Sequence, residues 1–197
     1  MKLKGKTIGF AVTGSYCTLD KALESMKSIA DTGASIIPIV SSVVSENDSK
    51  FGYAHDWLKK IKDISNNKII DSIVKAEPIG PEKLLDLLII CPCTGNTMAK
   101  IANGIIDSTV VMAAKAQLRN NRPLLISIAT NDGLGLNGIN LGRILSVNNV
   151  FFVPFGQDNP EIKPNSLISR FDLVKEAAEL ALDKKQIQPI LIEYRGI

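Results

Sequence analysis

The chain has 197 residues, 45% of them apolar and 22% charged, with 23 Lys and Arg against 20 Asp and Glu. That is the balance of a globular protein, and a scattered net charge of +3 gives no footing for nucleic acid. Three cysteines (Cys17, Cys91, Cys93) and a single histidine argue against a secreted disulfide framework and against a zinc site of the usual ligand count, so a reducing cytoplasm is expected. No apolar run approaches the roughly 18 residues of a membrane span, and no apolar segment of signal-peptide length follows Met1–Lys6.

Thr7–Val12 reads as a first strand, running into the turn Thr13-Gly14-Ser15. Leu19, Ala22, Leu23, Met26, Ile29 and Ala30 then recur at helical spacing, with Thr18 as N-cap and Gly33 past the end. A second strand, Ile36–Val40, carries Pro38, which predicts a bulge or an edge position because proline cannot donate to the ladder. Ser41-Ser42 ends it, and Val43–Lys50 reads as polar loop. Ala54, Trp57, Leu58, Ile61 and Ile64 mark a helix with His55 near its start, a surface or capping residue more readily than a catalyst. Ile69, Ile70, Ile73 and Val74 fit either a short helix or a strand, and Glu77–Pro81 reads as a loop.

The third strand, Leu87–Ile90, opens the stretch around which the chain is organised. A polar turn, Pro92–Thr97, follows it and leads into a helix with Met98, Ile101, Ala102 and Ile105 on one face. Strand, tight loop and helix N-terminus in that order put free N–H groups at the carboxyl end of a strand, where open α/β sheets bind ligands. The plainer alternative is a capped helix start, with Thr94 or Asn96 as the cap. Ser108 starts a further helix with Val111, Ala114 and Leu118 inward. Leu124–Ile128 is a fourth strand feeding the polar turn Ala129–Gly133, Asn137 caps a helix carrying Leu141, Ile144 and Leu145, and Val150–Val153 is a fifth strand. Phe155–Ser166 is either a lid or a long connection. A last helix over Phe171–Leu182 precedes an extended tail from residue 186 onward, whose apolar stretch Pro189–Tyr194 is expected to dock on the body or on a neighbouring subunit.

Strands alternating with helices predict one α/β domain over residues 1–197, a Rossmann-like doubly wound parallel sheet of about five to six strands flanked by helices. Three strand ends carry Ser-, Thr-, Asn- and Gly-rich turns, at residues 13–15, 94–97 and 129–132. Their convergence at one sheet edge predicts a cradle for a phosphate-bearing ligand. The turn after the first strand lacks G-x-G-x-x-G, so the dinucleotide fingerprint is absent.

The segment Pro92-Cys93-Thr94-Gly95-Asn96-Thr97-Met98-Ala99-Lys100-Ile101-Ala102-Asn103-Gly104-Ile105-Ile106-Asp107 resembles the Pro-x-Ser/Ala-x-Asn-Thr-x-Ala-Lys-x-Ala-x-Gly-Ile-x-Asp motif of the flavoprotein family. That family includes the flavin-dependent cysteine decarboxylases and phosphopantothenoylcysteine decarboxylase. Gly14-Ser15 and Ser41-Ser42 match its other flavin-contact segments. The resemblance implies FMN, its phosphate near Gly14, Ser15 and Ser41 and its ring against Thr94, Gly95, Asn96 and Thr97 and against Ala129, Thr130 and Asn131. Within the family, Asp71–Pro78, Arg119–Pro123, Thr130–Gly138 and Phe155–Asp158 are similar to a B-type subunit of a sporulation oxidoreductase. That likeness implies, as partner, an NAD(P)-binding A subunit. It also implies a homo-oligomer of three or more copies and the mother-cell cytoplasm. The implied reaction oxidises a cyclic dicarboxylate to an aromatic diacid. Lys100 and Lys115 are candidates for the substrate carboxylates, against the alternative that both are solvated helix-face lysines. Two readings compete. A decarboxylase would need the family's histidine after the second strand and a cysteine in a C-terminal flap, yet His55 is displaced and no cysteine follows Cys93. A non-catalytic partner with a degenerate flavin site is the other.

Overall fold

The structure, a computed structural model, describes residues 2–193. Five parallel strands form its spine: β1 (Thr7–Val12), β2 (Ser35–Val40), β3 (Leu87–Cys93), β4 (Leu124–Thr130) and β5 (Val150–Phe152). They lie in the order β2-β1-β3-β4-β5. The chain therefore winds outward in both directions from the gap between β1 and β3, which is where such sheets open a crevice. Two short strands, β6 (Phe155–Gly156) and β7 (Leu167–Ser169), add an antiparallel hairpin and bring the sheet to seven strands. β4 is shared at this edge: Leu124–Ile126 pair with β5, and Ala129 and Thr130 pair with β7.

All seven residues of β3 are buried, as expected of a central strand covered on both faces. Leu87, Ile89 and Cys91 enter one core, with α1 (Leu19–Ala30), α3 (Ala54–Ser65) and α8 (Val174–Leu182). Leu88, Ile90 and Cys93 enter the other, with α5 (Gly95–Asn103), α6 (Thr109–Arg119) and α7 (Gly138–Leu145). In a regular strand Cys91 and Cys93 would share a face. The register against β4 shifts between Ile90 and Cys93, and that irregularity sends the two thiols to opposite cores.

Pro38 sits in β2 without a bulge, because β2 is the edge strand. The Val40 N–H points outward to the Ile70 carbonyl (2.9 Å), and the N–H that Pro38 lacks would lie on that same outer side. Ile70 itself forms a single parallel bridge to Ile39, while a short helix, α4 (Ile73–Ala76), follows.

Several expectations need correction. The polar loop expected over Val43–Lys50 begins as a helical turn, α2 (Ser42–Glu46), because fully buried Val44 anchors it. The loop expected at Glu77–Pro81 holds a 3-10 turn, Glu77–Ile79, with Ile79 in the core. Ile105 lies beyond α5 and is exposed, since Gly104 at φ +67° ends that helix. Thr18, Ser108 and Asn137 stand at cap positions without forming side-chain caps. Of the C-terminal tail, Leu191 forms a parallel bridge to Phe155, with the Phe155 N–H donating to the Ile190 carbonyl and the Ile192 N–H to the Phe155 carbonyl, both at 3.0 Å. Tyr194 and the rest of the expected tail lie outside the described residues.

Candidate functional site

A cleft of about 570 Å³ opens at the carboxyl ends of β1, β3 and β4. This is the size of a small-molecule site. Gly14 and Ser15 line it after β1, Thr94, Gly95 and Asn96 after β3, and Ala129, Thr130 and Asn131 at and beyond the end of β4. The structure thus brings together the three turns singled out in the sequence.

One side chain joins the first two turns. Thr13, almost fully buried, donates from Oγ1 to the Pro92 carbonyl (2.7 Å) and accepts from the Thr94 N–H (3.1 Å). Thr94 then caps α5, its Oγ1 accepting from the Thr97 N–H at 3.3 Å. Thr97 is buried behind it, with the two hydroxyl oxygens 3.1 Å apart, and does not line the cleft. Gly95 answers a packing demand: a Cβ there would stand 2.6 Å from the Thr130 hydroxyl and 2.8 Å from the Asn137 amide nitrogen. The missing side chain admits the neighbouring turn. Asp132 secures that turn, accepting from the Leu136 N–H and from the Asn137 amide, both at 3.1 Å.

After β1, the Ser15 N–H is spent on the Thr13 carbonyl (2.8 Å) and the Thr18 N–H on the Ser15 carbonyl (3.0 Å). The Tyr16 and Cys17 N–H groups between them begin a 3-10 turn and make no backbone hydrogen bond among the described residues. Ser41 stands at the head of α2, and its buried Oγ has no hydrogen-bond partner among the described residues. Ser41 is not among the cleft-lining residues. Lys100 pairs with Asp107 at 2.9 Å, and Lys115 is exposed on α6, so neither faces the cleft. His55 is largely solvated, 2.9 Å from Asp56 and stacked on Tyr53.

One wall, Lys50 and Phe51 of the loop between α2 and α3, carried no signal in the sequence, and another, Asp158, Lys163 and Ser166, comes from the segment between β6 and β7, within the stretch expected to be a lid or a long connection. The segment at 157–166 is therefore part of the cleft wall. Burial opposes ionisation of Asp158, but the Ser166 hydroxyl and the Lys163 ammonium nearby outweigh it and hold the carboxyl below its ordinary range. The Ser166 oxygen also lies 3.3 Å from the Thr130 carbonyl, which puts this wall against β4. Burial pushes the Cys91 thiol up to about 12 and that of Cys93 higher still, the latter with help from Cys91. Both are packing residues in this fold, whereas Cys17 is exposed at the cleft.

Similarity to known proteins agrees with this geometry. Residues 1–176 match the flavoprotein family model, and the chain belongs to that family. The dipicolinate synthase B subunit of Bacillus subtilis is 50% identical over 195 residues, spanning 98% of each chain. A crystal structure of the dipicolinate synthase B subunit from Bacillus halodurans matches with a TM-score of 0.90 at 49% identity, over 98% of this chain and 99% of that one. The FMN complex of a cubic redox-transfer cage protein from Burkholderia xenovorans shares the fold, with a TM-score of 0.60 at 19% identity over 81% of this chain and 92% of that one. Among the described residues no helix is long and apolar enough to cross a membrane.

Proposed function

We propose that this chain is the B-type subunit of dipicolinate synthase. On this reading it is one flavoprotein domain that holds FMN in the cleft between β1, β3 and β4. With an NAD(P)-binding A subunit it oxidises a dihydro- or hydroxytetrahydro-dipicolinate to dipicolinic acid, in the mother-cell cytoplasm of a sporulating bacterium. The observation that carries the reading is the 50% identity over 98% of both chains to the Bacillus subtilis protein.

The residues present fit the cofactor. The Tyr16 and Cys17 N–H groups, without a backbone acceptor among the described residues, are donors that a phosphate would satisfy. Thr94, Asn96 and Thr130 supply polar atoms for the edge of a ring system, with Thr13 fixing the spacing of the first two turns. Bound FMN would supply a two-electron acceptor. The protein's part is to hold the ring and the substrate in register and to exclude water, for which Leu167 and Ile168 provide apolar wall. Exposed Leu134, Leu136, Ile139 and Ile162, on the loops beside the cleft and on the start of α7, give the A subunit or further copies of the chain an apolar surface to cover.

The test is the visible spectrum of the purified chain after incubation with FMN and desalting, with the A subunit present or omitted. A retained flavin band that bleaches when the cyclic substrate is added is expected. Absence of flavin in both samples, with the A subunit fully active on its own, would refute the redox role and leave this chain as a structural partner.

A further inference from the structure

The loop between α2 and α3 ends in a small device. Ser49 and Gly52 close a turn on themselves, with the Ser49 N–H donating to the Gly52 carbonyl (3.0 Å) and the Gly52 N–H to the Ser49 carbonyl (3.1 Å). Gly52 has φ +147°, and a Cβ there would press on the Trp57 indole at 3.0 Å, so the turn is seated against a buried aromatic of α3. Its two tip residues are Lys50 and Phe51. Both are exposed and both line the cleft. The Lys50 ammonium rests 5.2 Å from the centre of the Phe51 ring. Among the described residues no carboxylate lies within ion-pair distance of Lys50.

The turn holds the Phe51 ring half in water at the cleft, where a flat ligand can cover it. The cleft is also lined by a second cation, Lys163 of the segment between β6 and β7, whose contact with Asp158 is long at 3.5 Å and more than half solvated on the lysine side. Such a pair is weak and its ammonium is free to exchange partners. The cleft therefore offers one flat apolar face with a cation beside it, and another cation on the wall formed by the segment between β6 and β7.

We propose that the Ser49–Gly52 turn and Lys163 together form a dicarboxylate-reading clamp, in which Phe51 covers a flat ring while Lys50 and Lys163 each take one carboxylate. The ligand class is a planar or near-planar six-membered ring with two carboxylates on opposite sides of one ring atom. The proposal rests on the dipicolinate synthase reading for the identity of the substrate, and it assigns to Lys50 and Lys163 the role the sequence had suggested for Lys100 and Lys115. It places the specificity of the site on two segments outside the three cofactor turns.

The test is calorimetric titration of the FMN-treated chain mixed with the A subunit, in metal-free buffer, with pyridine-2,6-dicarboxylate and with pyridine-2-carboxylate. Flavin absorbance is recorded on the same samples. Wild type should prefer the diacid. Lys50→Met and Lys163→Met should each weaken the diacid about tenfold and the monoacid less than about twofold, because each removes one charge-assisted contact. Phe51→Ala should weaken both acids alike, and flavin retention should stay at the wild-type level in all three variants. Thermal melting of each variant separates lost binding from lost folding. Loss of flavin from Lys50→Met or Phe51→Ala would overturn the proposal, since the turn would then serve the cofactor. Equal losses for both acids in the lysine variants, or no preference in wild type, would overturn it as well. A sample without flavin that keeps the diacid preference would refute the flavin reading and leave the clamp standing, while retained flavin without the preference would do the reverse.

Discussion

Replacing Thr13 with valine removes one oxygen and keeps the side-chain volume. That oxygen is the link between the ends of β1 and β3, donating to the Pro92 carbonyl at 2.7 Å and accepting from the Thr94 N–H at 3.1 Å. Thr13 is 1% exposed and Pro92 is buried, so water cannot easily replace either bond. A buried group left without a partner costs about 1–3 kcal/mol, and two such groups, one of them only half-buried, give about 2–4 kcal/mol. For a chain of this size, that lowers the melting temperature by roughly 5–12 °C. The two turns would also lose their fixed spacing, so flavin retention should fall with stability. Thermal unfolding followed by circular dichroism reads the first effect, and the flavin band after desalting reads the second. Thr13→Ser keeps the hydroxyl and should recover most of both. If the valine variant melts within about 2 °C of wild type, the reasoning that Thr13 couples the two strand ends is wrong.

Other outcomes follow from the same geometry. Gly95→Ala should destabilise the chain by about 1–3 kcal/mol, because the new methyl meets the Thr130 hydroxyl and the Asn137 amide within 3 Å. A denaturant midpoint unchanged from wild type would show that those side chains simply swing aside. Iodoacetamide at about pH 8 should label one thiol per folded chain, Cys17, and three after unfolding, since burial keeps Cys91 and Cys93 protonated. Cys91 and Cys93 also make the fold sensitive to alkali. Their folded pKa values lie above the unfolded ones, so their contribution is complete below about pH 8.5 and drains away as pH rises towards and past 12, visible as a falling melting temperature. His55→Ala should change the melting point and the flavin spectrum little, because a largely solvated pair with Asp56 is worth at most about 1 kcal/mol.

Much of this was legible from the chain. β1 runs over the residues its apolar pattern marks, and the three polar turns meet at one edge because parallel strands separated by helices must all point their carboxyl ends the same way. What escaped notice depends on contacts distant in sequence. Phe155 and Leu167 become strand residues only because β4 outruns β5 and exposes a ladder to be paired. Val44 looks like part of a polar loop until the core it plugs is present. Lys50 and Phe51 carry no periodic signal, and the one hint was a glycine after a Lys-Phe pair, a common arrangement without the Trp57 indole behind it. Lys100 and Lys115 drew attention by lying in or near the motif, but the α5 and α6 surfaces carrying them turn away from the cleft.

The shared edge of β4 has a consequence for how such a site can diversify. The segment 157–166 leaves the sheet on β6 and returns on β7, two strands paired side by side. Its ends are therefore neighbours whatever lies between them, and the parallel spine takes no register from it. The segment is a cassette in a fixed socket: a length of chain with another charge pattern can replace it and redefine one wall of the cleft, while the turns after β1, β3 and β4 stay where they are.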